Sequence, residues 1–211
     1  LKDIGVASLG HRKRLLEAIA ALDSAPGRSA PEPSPRPAGT ARQSDAERRQ
    51  LTVMFIDLVG STALSAGLDP EDMRDVLRAY QNTVACEITR FEGHIAKYMG
   101  DGVLAYFGWP KAHEDEAERA TRAGLAVIRA IARLRTPAGR PLEVRIGIAT
   151  GLVVVGDLVG EGAAQEEAVV GDTPNLAARL QGVAEPGSVV IAEATRRLIG
   201  NVFELRDLGA Q

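Results

Sequence analysis

Two aspartates and a few basic and amide side chains have the types and spacing to handle a polyphosphate. Residues 52–62 read T-V-M-F-I-D-L-V-G-S-T. The β-favouring run Val53, Met54, Phe55 and Ile56 leads to one carboxylate at Asp57, and a Gly60-Ser61-Thr62 turn follows. A carboxylate on a strand can hold a divalent ion, and the N–H groups of a turn opening a helix can take phosphate oxygens. The same pattern also serves simply to end a strand and cap a helix. A second carboxylate, Asp101, stands in Gly100-Asp101-Gly102, a triplet that reads as a hairpin turn, where aspartate is commonly only a turn residue. Arg145 lies in an alternating strand pattern, and Asn175 and Arg179 are four residues apart, so they share a helix face. Taken singly, Lys97 reads as a solvated strand lysine, Arg145 as an exposed partner near Glu143, and Asn175 and Arg179 as helix-surface groups. Together, two carboxylates beside a phosphate-cradling turn, with forked guanidinium groups in addition, describe a two-metal phosphoryl-transfer site.

The elements that must position these residues are legible from pattern. Asp69 caps a helix that opens on Pro70, carries Met73, Val76, Leu77, Tyr80, Val84, Ile88 and Phe91 on one stripe, and stops at Gly93. His94–Met99 and Val103–Phe107 read as a hairpin, and Lys111–Arg135 as a second long helix with an acidic start and a basic end. Leu142, Val144, Ile146 and Ile148 alternate as a strand that resumes at Val153–Val155, and Gly156–Glu167 reads as a polar surface loop. A short helix is expected from Thr173 to Gln181, a strand over Val189–Ala192, a helix over Glu193–Ile199 and a further strand over Val202–Leu208. In a strand-helix-hairpin order the hairpin lies beside the first strand, so Asp57 and Asp101 can converge at one end of the sheet. The expected class is α+β, a ferredoxin-like antiparallel sheet with helices on one face.

From about Arg48 onward the sequence resembles the class III nucleotidyl cyclases, the adenylate and guanylate cyclase catalytic domain. The resemblance is carried by F-I-D-L-V-G-S-T (55–62), K-Y-M-G-D-G (97–102), R-I-G-I-A-T-G (145–151) and V-G-D-T-P-N-L-A-A-R-L (170–180). It implies that Asp57 and Asp101, with Ile56 and Leu58 flanking the first, hold two Mg²⁺ or Mn²⁺ ions. Phe55 and the N–H groups of Val59, Gly60, Ser61 and Thr62 would line the triphosphate site, and Arg145 would contact phosphate. Lys97 matches the lysine that reads the purine and favours adenine. Asn175 would orient the ribose, and Arg179 would stabilise charge on the reacting phosphoryl group. The implied reaction converts ATP to 3′,5′-cyclic AMP and pyrophosphate at a head-to-tail homodimer interface, with Lys97, Asn175 and Arg179 meeting Asp57 and Asp101 of the other chain. Ala168, followed by Val169, stands where the family usually has an acceptor for the adenine amino group, so base selectivity rests on fewer contacts. The family also has a phosphate-binding lysine on a strand that would follow Gln211, so weakened turnover is expected of residues 1–211. A guanylate cyclase, or a cyclase-like module that binds nucleotide and dimerises without turnover, are the alternatives. A cyclic-dinucleotide synthase is disfavoured because the hairpin reads Gly100-Asp101-Gly102 rather than Gly-Gly-Asp/Glu-Glu-Phe.

Composition limits the rest. With 45% hydrophobic and 25% charged residues and a formal charge of −3, the 211-residue chain shows no electrostatic footprint for nucleic acid or anionic membrane. No apolar run is long enough to span a bilayer. The single cysteine, Cys86, cannot form an intrachain disulfide and fits a reducing, cytoplasmic setting. His94 and His113 lack partners at zinc-ligand spacing. Residues 1–22 resemble the last part of a sterile-alpha-motif domain, a helical interaction module that implies a protein partner, and the opening Leu1-Lys2-Asp3 reads as mid-domain sequence. Residues 23–45, with Pro26, Pro31, Pro33, Pro35 and Pro37, form a linker. The cyclase-like domain is expected over 46–211.

Overall fold

The computed structural model of the protein describes residues 47–157 and 167–209. The expected helical module over 1–22, the linker over 23–45 and most of the 156–167 loop lie outside the described residues.

The sheet is built around β1 (Glu47–Leu58), which pairs antiparallel with β3 (Gly102–Phe107) on one side and β4 (Val144–Asp157) on the other. Strand β2 (His94–Met99) lies outside β3, with a register irregularity between Ile95 and Lys97. The 14-residue β4 has two further neighbours: β5 (Glu167–Val170) pairs antiparallel with its end, and β6 (Ser188–Ile191) pairs parallel with Arg145–Ile148.

Alternation along β1 decides what faces where. Met54, Ile56 and Leu58 point to one face and are fully buried with Val103, Ala105, Ile146 and Ile148. Two long helices cover that face, α2 (Pro70–Arg90) through Val76, Tyr80, Val84 and Ile88 and α3 (Glu116–Ile131) through Ala120, Ala123, Val127 and Ile131. Between β1 and α2 runs the short α1 (Ser61–Gly67). Full burial of a side chain such as Ile56 contributes about 1.5–3 kcal/mol. A one-residue slip of β1 would exchange this whole set for Val53, Phe55 and Asp57, placing a carboxylate in the core. The register that puts Asp57 on the other face is therefore held by the core.

The α+β class and the helix-covered sheet are as expected, and part of the second face is also covered. There α4 (Asp172–Val183) sets Ala177 against Val53 and Ala149. Its backbone reaches the sheet because residue 147 is glycine: a Cβ there would collide with the Ala177 carbonyl and the Gln181 amide and stand 2.9 Å from the Gln181 Cα. Helix α5 (Glu193–Ile199) completes the order. No helix among the described residues is long and apolar enough to cross a membrane.

The ends of α2 follow the sequence cues: Asp69 accepts a hydrogen bond from the Glu71 N–H at 3.0 Å, and Pro70 is the first helical residue. Three expectations need correction. Helix α3 spans 116–131, not 111–135, because the Glu116 carboxylate turns back to accept the His113 N–H, and beyond Ile131 the Arg133 and Leu134 amides bond three residues back, tightening the chain into the 136–141 turn. The loop expected over Gly156–Glu167 loses both its ends to the sheet: β4 runs on to Asp157, and Glu167 opens β5 because the extended β4 offers residues 167–170 a ladder. The strand expected over Val202–Leu208 is absent. Gly200, with φ +57, turns the chain after α5, and the segment joins no ladder among the described residues, leaving Val202 and Leu205 at 53% and 43% exposure.

Candidate active site

Asp57 is the penultimate residue of β1, on the face away from α2 and α3. Its neighbours in register are Gly102 on β3 and Arg145 on β4. Gly102 has no side chain to screen it, and the preceding residue is Asp101, at the tip of the β2–β3 turn. The two carboxyl groups are near enough for the charge of Asp101 to act on Asp57. Helix α2 braces this turn from behind, the Gln81 side-chain amide donating to the Gly100 carbonyl at 3.1 Å.

The local field makes Asp57 a reluctant anion. Partial burial, and after it the negative charge of Asp101, push its carboxyl above the ordinary value of 3.8; the Arg145 guanidinium and, least, the polar Gln181 amide pull the other way. Arg145 buries its Nε without a hydrogen-bond partner among the described residues. Tyr80 likewise buries its hydroxyl without one. Burial first, and then the charges of Asp57 and Asp101, hold that hydroxyl firmly protonated.

A pH dependence follows, with a definite sign. A carboxyl whose folded pKa lies above its unfolded value costs nothing below the unfolded pKa, where both states are protonated, and its full penalty appears above the folded pKa. In metal-free protein Asp57→Asn should therefore raise thermal stability at neutral pH. That gain should shrink as pH falls through the Asp57 titration and vanish below about 3.8. Paired thermal melts across pH check this; a gain that grows towards acid would contradict the raised pKa.

Beyond β1 the chain turns at Gly60, whose φ of +70 favours glycine, and enters α1. The Ser61 and Thr62 N–H groups open this helix and have no acceptor within it, and no side chain caps the end. Val59 is a correction to the expected cradle, since its N–H donates to the Glu143 carbonyl at 2.9 Å. The side chains of Ile56 and Leu58 point into the helix-covered core, so only their carbonyls could be ligands. Phe55 lies half-buried on the Asp57 face. Lys97, one register row away beside Leu104 and exposed on the edge strand β2, shares that face.

The remaining expected residues do not converge on Asp57 within one chain. Asn175 and Arg179 are exposed on the side of α4 opposite its buried Thr173 and Ala177. Ala168 and Val169 pair with Gly156 and Val155. Gly156 lies eleven residues along β4 from Arg145, a span on the order of 35 Å at about 3.3 Å per residue. Gln181, on the inner side of α4 with its backbone close to Gly147, acts on the Asp57 carboxyl and was not singled out from sequence. The signal was present, since Thr173, Ala177 and Gln181 are spaced at four residues and place an amide on a stripe of small buried residues.

Among the described residues no three His, Cys, Asp or Glu side chains cluster. Two neighbouring carboxylates flanked by strand carbonyls nonetheless form an all-oxygen donor set suited to hard divalent ions, and the repulsion that helps to raise Asp57 is what a cation between them would relieve.

Comparison with known proteins gives the same answer. The profile of the family described as "Adenylate and Guanylate cyclase catalytic domain" matches residues 44–210. Adenylate cyclase 1 of Rhizobium meliloti (strain 1021) is 34% identical over 168 residues, 77% of this chain and 25% of the relative. The adenylyl cyclase CyaB from P. aeruginosa superposes with a TM-score of 0.74 at 33% identity, over 78% of this chain and 87% of that one. The guanylyl cyclase Cya2 does so with a TM-score of 0.72 at 33% identity, over 79% and 89%. The chain spans no more than about a quarter of the length of the curated relatives it matches, 17% and 25% for the two from Rhizobium meliloti. A sheet that presents two neighbouring aspartates beside the Gly60 turn, and a profile match over most of its length, establish that this chain belongs to the adenylate and guanylate cyclase catalytic domain family, the class III nucleotidyl cyclases.

Proposed function

We propose that the domain is an adenylate cyclase that converts ATP to 3′,5′-cyclic AMP and pyrophosphate at the interface of a head-to-tail homodimer. The observation that carries this reading is the division of the site. Asp57, Asp101 and the Gly60 turn gather at one end of the sheet, whereas Asn175 and Arg179 stand exposed on the outer side of α4. Two half-sites that cannot meet within a chain are completed when a second copy brings its α4 to the first copy's aspartates.

Asp57 and Asp101 would hold two Mg²⁺ or Mn²⁺ ions, with the Ile56 and Leu58 carbonyls as supplementary donors. Ions bound there supply positive charge that acidifies the ribose 3′-hydroxyl and neutralises the triphosphate. The Gly60, Ser61 and Thr62 amides then receive phosphate oxygens, and Arg145 adds a fixed positive charge beside Asp57. Asn175 of the partner subunit orients the ribose, and the partner's Arg179 faces the charge that develops as the 3′-oxygen attacks the α-phosphorus in line and pyrophosphate leaves. Lys97 of the partner subunit reads the purine. Ala168 offers no side-chain acceptor to the adenine amino group, which leaves base choice to Lys97 and backbone groups and makes GTP the competing substrate.

The discriminating experiment is turnover of ATP and of GTP with Mn²⁺, with products separated by chromatography. Cyclic AMP formed from ATP with kcat/KM at least about tenfold above that for cyclic GMP from GTP, a difference of about 1.4 kcal/mol, supports the adenylate reading. The reverse ratio would make the domain a guanylate cyclase, and bound nucleotide without either product would make it a binding module.

A further inference from the structure

We propose that the groove between α1 and α2 binds a small organic anion with an apolar body, and that its occupancy is felt at the Asp101 turn through Gln81. The binding site stands without the cyclase reading. The coupling rests on that reading, because it assigns Asp101 to the metal.

The groove has a volume of about 620 Å³, within the range of roughly 300–1,000 Å³ usual for small-molecule sites. Its floor is apolar. Met73 and Leu77 stand one turn apart on α2, both half-buried, and Leu77 packs against the core. Arg74 and Arg78, also one turn apart, line it beside them, and α1 contributes Ser65.

The charge of this lining is one-sided. The whole chain carries −3, and α2 holds Glu71, Asp72 and Asp75 close by. None of these three carboxylates lines the groove. Among the described residues Arg74 pairs only with the adjacent Asp75, at a long 3.8 Å, and Arg78 pairs with no acid. Two guanidinium groups one turn apart repel each other. An anion between them relieves that repulsion, and their forks can take a carboxylate, sulfonate or phosphate through two oxygens. The apolar body then covers Met73 and Leu77, which water otherwise reaches in part. An inorganic anion would use the arginines and leave the floor wet, and a neutral apolar molecule would do the reverse. The lining selects a molecule with both parts.

Gln81, three residues beyond Arg78, also lines the groove. Its side-chain amide donates to the Gly100 carbonyl at 3.1 Å, and Gly100 precedes Asp101 in the β2–β3 turn. A molecule lying along α2 therefore meets the side chain that braces this turn.

The test uses the full chain and 8-anilinonaphthalene-1-sulfonate, which joins an aromatic body to one sulfonate and fluoresces on binding. N-phenyl-1-naphthylamine, the same body without the charge, is the control. Wild type should bind the sulfonate saturably, and more weakly as salt rises. The double variant Arg74→Gln/Arg78→Gln should bind it at least about tenfold more weakly. Its affinity for the neutral control and its thermal midpoint should not change, since both arginines are exposed. Sulfonate affinity within about twofold of wild type, or an equal loss for the neutral control, overturns the site. Coupling between sites is reciprocal. Mn²⁺ with 3′-deoxy-ATP, which cannot cyclise, should therefore shift sulfonate affinity by about fivefold or more in wild type and not in Gln81→Leu. An unchanged affinity, in protein that equilibrium dialysis shows to hold the nucleotide, overturns the link to Asp101 and leaves the cyclase reading standing. Failure to hold the nucleotide overturns the cyclase reading and the coupling with it, while the sulfonate result still decides the groove.

Discussion

Asp57→Ala is expected to reduce cyclic nucleotide formation by about a thousandfold or more, some 4 kcal/mol of transition-state stabilisation, at unchanged dimer content. The carboxylate is placed to do what no neighbour can replace. Among the described residues Asp101 is the acidic group that acts on it, and the other groups that do, Arg145 and Gln181, bring a positive charge and a neutral amide, neither suited to hold a cation. Asp57→Asn should fail almost as completely, although it preserves shape and the strand register, because a neutral amide beside Asp101 leaves one negative charge where two ions are to be held. The same substitution is expected to stabilise the metal-free fold at neutral pH, since the penalty of ionising a partly buried carboxyl beside another is removed. Loss of activity with gain of stability is the signature of a residue retained for chemistry rather than for folding. Initial rates at saturating ATP and Mn²⁺, with the oligomeric state followed by light scattering, decide the matter. Activity within about tenfold of wild type in either variant would show that Asp57 does not hold the ions.

The parts of the fold that were legible in the sequence are those governed by local pattern. Asp69-Pro70 and the Val76, Tyr80, Val84, Ile88 stripe define α2 because capping chemistry and a 3.6-residue period leave little choice. Asp57 and Asp101 were legible because one ends an alternating strand and the other sits between two glycines in a hairpin. What pattern could not give was reached only through tertiary structure. Val59 appears equivalent to Gly60–Thr62 until the Glu143 carbonyl takes its N–H. Residues 167–170 become a strand because β4 runs on far enough to pair with them, whereas Val202–Leu208, with a comparable β-favouring start, finds no partner among the described residues. Gln181 and Tyr80 belong to helix stripes that read as packing. Their proximity to the aspartates follows from the close approach at Gly147 and from the burial of α2, neither of which is written in the residues around them.

Mixing two inactive variants should restore activity. Asp57→Ala and Arg179→Ala chains are each expected to lose at least about a hundredfold in turnover as homodimers, since each removes a group that acts on the transition state in both sites. On random exchange about half of the dimers pair one of each, and two-fold symmetry concentrates both defects in one site and leaves the other intact, giving roughly a quarter of wild-type activity. The structure sets up this asymmetry within the chain. Arg179 projects from the exposed side of α4, and Asp57 belongs to the sheet that the helix meets with its inner side. For Arg179 to serve its own chain's Asp57, α4 would have to turn by about half a revolution about its axis. Such a turn would swing Ala177 out of its contacts with Val53 and Ala149 and break the fit at Gly147. A second copy needs no such rearrangement. Recovery should therefore rise with total protein concentration and reach its limit once the chains have exchanged partners. A mixture that stays at the sum of the two separate activities, under conditions where exchange is demonstrated by light scattering of tagged and untagged chains, would place the whole site within one chain and end the dimer reading.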